Sequence, residues 1–134
     1  MKRILIVLSV ALLNGCALMD AYLMTKYDPN EYSIISEIRT DARHHKKECD
    51  NAVVSKSNAV NLASKTDFFE VYSENVPRNN NTITASKELN KIAQGLVERY
   101  NQPAPVSPLF CKLKFETIET NSARMQQVIG NKPR

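Results

Sequence analysis

Beyond residue 30, apolar and small side chains recur every three or four positions through most of the chain, a spacing that predicts helices. Between Asn30 and Glu74 there is neither glycine nor proline. Ile35, Ile38, Ala42, His45, Cys49, Ala52, Ala59 and Ala63 line one helical face there. Arg39, Arg43, Lys46, Lys47 and Asp50 fall mostly off that stripe. A helix over 30–74 would reach roughly 65 Å at 1.5 Å per residue. That is long for a globular protein, so the polar triplet Lys56-Ser57-Asn58 marks the expected kink. The second half of the stripe is rich in alanine, and Phe68, Phe69 and Tyr72 supply bulk at its far end.

Residues 75–82, NVPRNNNT, predict a turn, because Pro77 stops a helix and asparagines tolerate turn conformations. A second helix is predicted over 83–100, with Ala85, Leu89, Ile92, Ala93 and Leu96 on one face. Gly95 inside it costs about 1 kcal/mol relative to alanine, which close packing against the first helix would justify. Residues 102–108 form a connector with three prolines. Ser107 and Pro108 then supply an N-cap and a first helical position. The third helix, over 108–129, carries Cys111, Phe115, Ile118, Ser122, Met125 and Ile129 at the same spacing. Gly130 is placed to stop it, and the basic tail Lys132-Pro133-Arg134 is expected to be solvated.

These elements predict one all-α domain over 30–134. If the chain folds back at 75–82, Tyr100 comes beside 56–58 and Cys111 comes level with Cys49. Two arrangements fit. In an elongated antiparallel hairpin, the third helix runs along the lower half of the first, setting Ile118 by Ala42 and Met125 by Ile35. In a compact three-helix bundle, it packs instead on Ala52, Ala59 and Ala63. The hairpin is favoured because it covers Ile35 and Ile38.

The first sixteen residues, MKRILIVLSVALLNGC, follow a different pattern: Lys2 and Arg3, an apolar run from Ile4 to Leu13, then a small residue before Cys16. The run has the length of a signal core and is too short for a settled membrane span. This stretch resembles the bacterial lipobox, although Asn14 is a less usual residue at its place. The resemblance implies a signal over 1–15, a lipidated tether over 16–29, and a diacylglycerol on Cys16. Ala17, which is not aspartate, implies the outer membrane, facing the periplasm. With Cys16 assigned to lipid, Cys49 and Cys111 remain as an even pair in an exported protein, so a disulfide between them is expected. The hairpin or bundle is then stapled by one disulfide.

Composition excludes more than it suggests. The net charge is +4, and loss of Lys2 and Arg3 with the signal lowers it to about +2. No basic stripe interleaved with aromatics is present, so nucleic acid is not expected as a partner. Three glycines leave no phosphate-cradling loop. His44, His45 and Cys49 form the most metal-like cluster, but zinc requires three or four ligands and no second pair lies nearby. Asp67 with Glu70 and Glu74, and Glu116 with Glu119, read as solvated helix faces. No Ser-His-Asp arrangement can be assembled, and Cys49 and Cys111 lack the CxxC proximity of a redox pair. The expectation is a non-enzymatic protein with no cofactor and no metal site. It would be held to a membrane through Cys16, and a protein partner would lie in the periplasm or inner membrane. A more specific resemblance, resting on size, lipobox, helicity and the proline-containing linker, is to bacteriophage outer-membrane spanin subunits, which bridge the periplasm during lysis. A periplasmic inhibitor or exclusion module is the remaining expectation.

Overall fold

The computed structural model describes residues 25–134. The expected signal, Cys16 and most of the expected tether lie outside the described residues. Within them the chain is all-helical and forms four helices: α1 (Pro29–His45), α2 (Ala52–Glu74), α3 (Asn80–Tyr100) and α4 (Pro108–Gly130). A single 3-10 turn, Lys46–Glu48, follows α1.

Local chemistry sets each boundary. Asp28 caps α1 by accepting from the amides of Asn30 and Glu31 at 2.8 and 3.0 Å, with Pro29 in the first turn. Ser107 caps α4 in the same way by accepting from the Phe110 amide at 3.2 Å, with Pro108 behind it. These caps satisfy amides that have no partner within a helix.

The predicted helix over 30–74 is broken, and at 46–51, not at Lys56-Ser57-Asn58. The cause is Asn51, whose backbone is extended (φ −107°, ψ 106°) and whose side chain accepts from the Val53 and Val54 amides at 3.1 Å. An asparagine side chain that offers itself to the next turn can end one helix and start another without glycine or proline. At the other end of the turn predicted over 75–82, α3 starts three residues earlier than expected, at Asn80.

The break changes the architecture. Because α2 turns back, it runs antiparallel to α1: Lys65 Nζ meets Asp41 Oδ2 at 2.5 Å, and the Tyr72 hydroxyl donates to Asp28 at the opposite end. α3 runs back along α2, with the Tyr100 hydroxyl 2.8 Å from Ser55 Oγ and Lys87 2.9 Å from Glu74. α4 runs back along α3 and closes on α1, where Arg39 donates to Gln126 at 2.7 Å and Arg43 pairs with Glu119 at 2.8 Å. The result is an up-down-up-down four-helix bundle. The elongated rod does not form, yet the register expected between the third helix and the start of the first does. α1 packs most extensively on α4 and α2 on α3, while the α1–α2 and α3–α4 seams are looser.

The core follows the stripes. Ile35, Ile38, Ala42, Cys49, Ala59 and Ala63 are buried, as are Leu89, Ala93 and Leu96 of α3. All six stripe positions of α4 are buried, from Cys111 to Ile129. Phe69 and Phe115 fill the centre with no exposure. Ala52, the first residue of α2, is exposed, and Phe68 points outward. Gly95 is exposed, and an added Cβ would meet nothing within 4 Å, so it serves no helix approach. Gly130 ends α4 without a positive φ. Its role is room, since a Cβ there would lie 3.2 Å from the Tyr32 ring.

Candidate functional site

The two ends of the bundle differ in chemistry, and the chain enters at one of them. Three segments meet at that entry end: the incoming residues before α1, the α2–α3 turn, and the C-terminal tail. Glu31 belongs to the α1 stripe, four residues before Ile35, and is completely buried. The Lys132 ammonium sits 2.6 Å from Glu31 Oε2 and donates to Asn79 Oδ1 at 2.8 Å. The Asn79 amide donates in turn to Glu31 Oε1 at 2.5 Å and to the Ser73 carbonyl at 3.2 Å. A buried carboxylate is tolerated when charge and hydrogen bonds meet it from several sides, as here.

More bonds sew the entering strand to the same place. Thr25 donates from its hydroxyl to the Arg78 carbonyl. The Tyr27 amide donates to the Pro133 carbonyl at 2.8 Å, and Arg134 stacks 5.5 Å from the Tyr27 ring centroid. Arg78 holds a left-handed backbone (φ 60°), a conformation that non-glycine residues rarely adopt. Burial first, and the neighbouring Asp28 carboxylate after it, push the Tyr72 phenol above its ordinary range. The tail expected to be solvated is thus a structural component, with only 9% of the Lys132 side chain exposed.

The far end holds the disulfide. Cys49 and Cys111 are joined, with a Cα–Cα distance of 5.7 Å that falls within the ordinary range for a bridge. Both cysteines are buried. Asp50 and Lys112, their chain neighbours, form an exposed ion pair at 3.1 Å. His45 packs its ring edge-on against Phe115, 5.6 Å between centroids. Its Nδ1 lies 3.7 Å from Glu48 Oε2, outside hydrogen-bond range, and is buried without a partner. Desolvation holds the imidazole below its ordinary value, against the opposing pull of Asp41 and Glu48.

With Cys49 in the bridge, the His44-His45-Cys49 cluster has no thiolate to offer a metal. Among the described residues, no group of three or more His, Cys, Asp or Glu side chains is placed to hold one. Most of the paired carboxylates are engaged elsewhere. Glu70 accepts from Asn90 at 2.8 Å, Glu74 pairs with Lys87, and Glu119 is held below its ordinary value by Arg43 first and Lys46 second.

A groove of about 490 Å³ opens along the loose α3–α4 seam. Ala85, Leu89, Ile92, Met125, Val128 and Ile129 line it, with Glu88 and Arg124 among its polar residues. Its lining is mainly hydrocarbon. Among the described residues, no helix is long and apolar enough to cross a membrane.

No protein-family model, curated protein or solved structure matches this chain. Its function must therefore be argued from its own residues.

The buried network was the feature that sequence reasoning missed. Glu31 announced itself weakly, as a charged residue at a stripe position four before Ile35. Lys132 and Asn79 lie in segments without periodicity, so no pattern could mark them as its partners.

Proposed function

We propose that the chain is a small non-enzymatic lipoprotein of a bacterial envelope, a folded interaction module held to the outer membrane by lipid on Cys16 and facing the periplasm. The observation that carries this reading is the stretch MKRILIVLSVALLNGC, with its positive start, short apolar core and small residue before cysteine. The bundle fits what would follow. The described residues begin at Thr25, nine residues after Cys16, and the disulfide is the kind of bond that export permits. The disulfide end lies opposite the end where Thr25 enters, and on this reading it is the end offered to the periplasm. Several acyl chains hold such a protein stably, where one would not.

The test is Cys16→Ser in the full chain. Labelling with radioactive palmitate should vanish and a precursor-sized band should accumulate. Labelling that persists would defeat the reading.

Inhibition or exclusion of an envelope target is a second reading, supported by the closed, disulfide-linked bundle, which suits a domain able to act when detached. It requires the detached domain to bind and block its target unaided. A spanin role asks for reach across the periplasm. At 1.5 Å per residue the longest helices here span about 35 Å, so the compact body supports that role less than an unbroken rod would. Lysis that proceeds unchanged without the gene would exclude it.

A further inference from the structure

α2 carries apolar residues on two opposite faces. Its inward face holds Ala59, Leu62, Ala63 and Phe69, diluted by Ser55, Asn58, Thr66 and Ser73. Its outward face runs Val53, Ser57, Val60, Ser64, Phe68, Val71, spaced by three or four residues with no charge among them. The four large residues of that face are 81, 47, 57 and 51% exposed. Single exposed apolar residues are ordinary, but a stripe aligned along a whole helix at the spacing of a coiled-coil seam is not.

The stripe is complementary to itself. We infer that it is the pairing surface for a second copy of this chain, with the two α2 helices antiparallel about a two-fold axis at the level of Leu62. In that register Val60 meets the partner's Ser64 and Ser57 the partner's Phe68, so large side chains fall on small ones, and Val53 meets the partner's Val71 at each end of the stripe. Lys56 and Asp67 flank the stripe on the same side, and both are exposed. The antiparallel register brings each Lys56 to the partner's Asp67, giving two reciprocal ion pairs. A parallel register leaves both pairs unmade, because residues on one flank then face the opposite flank.

The stripe is about 27 Å long. A single helix pair of that length buries on the order of 400 Å² per protomer, about half of a standard stable interface. The pairing is therefore reversible in dilute solution and favoured where copies are concentrated, as on a membrane. The geometry of α2 does not depend on the lipid, so pairing and anchoring can be read separately.

The experiment places a photo-crosslinking amino acid at Val60 of the full chain, expressed in cells with and without Cys16→Ser. Mass spectrometry locates the crosslink. Far-ultraviolet circular dichroism and the disulfide serve as fold controls. The expected product is a homodimer linked from position 60 to the partner's segment around Ser64. Lys56→Asp or Asp67→Lys alone should lower its yield roughly tenfold by turning both pairs repulsive. Co-expression of the two singly reversed chains should restore it, since each then complements the other. Monomer alone, a crosslink to a different protein without a homodimer, a crosslink joining the two 60 positions, or failure of the mixed chains to restore the dimer would each overturn the proposal.

Discussion

Lys132→Met should destabilise the bundle far more than its position, two residues before Arg134, would suggest. The lysine supplies two charge-assisted hydrogen bonds, to Glu31 at 2.6 Å and Asn79 at 2.8 Å. Among the described residues, removing it leaves a fully buried carboxylate with only the Asn79 amide as partner. Breaking one side of a buried pair costs about 3–5 kcal/mol. Because a short tail can peel back and admit water, the low end, about 3 kcal/mol, is expected. With an unfolding entropy of roughly 2.1 cal/mol/K per residue over about 110 residues, that lowers Tm by about 13 °C. The double variant Glu31→Gln, Lys132→Met removes the stranded charge and should recover more than half of the loss. Urea unfolding of the wild type and the two variants gives the comparison, and added salt should change the wild-type advantage little because the pair is buried. A loss below about 0.5 kcal/mol for Lys132→Met, or a double variant no better than the single, would refute the claim that this network is charged, buried and coupled.

Three other predictions test separate parts of the account. Reducing the disulfide, whose ends are 62 residues apart, should remove about 4 kcal/mol in the chain-entropy model, measured as the shift in urea midpoint with and without reductant. Gly95→Ala should stabilise by about 0.5–1 kcal/mol, since the site is open and helical, whereas Gly130→Ala must displace the Tyr32 ring and should destabilise; calorimetry of both gives the signs. Stability should fall on acidification in two stages. His45 binds its proton less readily folded than unfolded, so stability declines as pH drops below about 6.5, and His45→Gln should flatten that stage. Glu119 is held low by Arg43 and Lys46, so its contribution is present above about 4.5 and is lost as pH falls through the lower folded value. Melting temperatures across pH 3–8 resolve both.

The helices and their inward faces were legible because burial imposes a period on sequence. Cys111, Phe115, Ile118, Ser122, Met125 and Ile129 were all placed correctly by spacing alone. The pairing of Tyr100 with the start of α2 and of Cys111 with Cys49 followed from the same register. The break at Asn51 was not legible, because it depends on one side chain's choice to cap the next helix when it could have continued the last. That choice set four helices where three were expected. Gly95 misled for a related reason: a glycine on an exposed face gives the same sequence signal as one at a contact. The buried Glu31 network stayed hidden because its members come from three distant segments, and only the fold brings them together.

The most direct test of the central claim is the intact mass of the protein extracted from membranes without reductant. The account predicts a chain beginning at Cys16, heavier than its polypeptide by the acyl groups and lighter by two hydrogens for the Cys49–Cys111 bond. A chain that begins at Met1 or elsewhere with an unmodified Cys16 would contradict it.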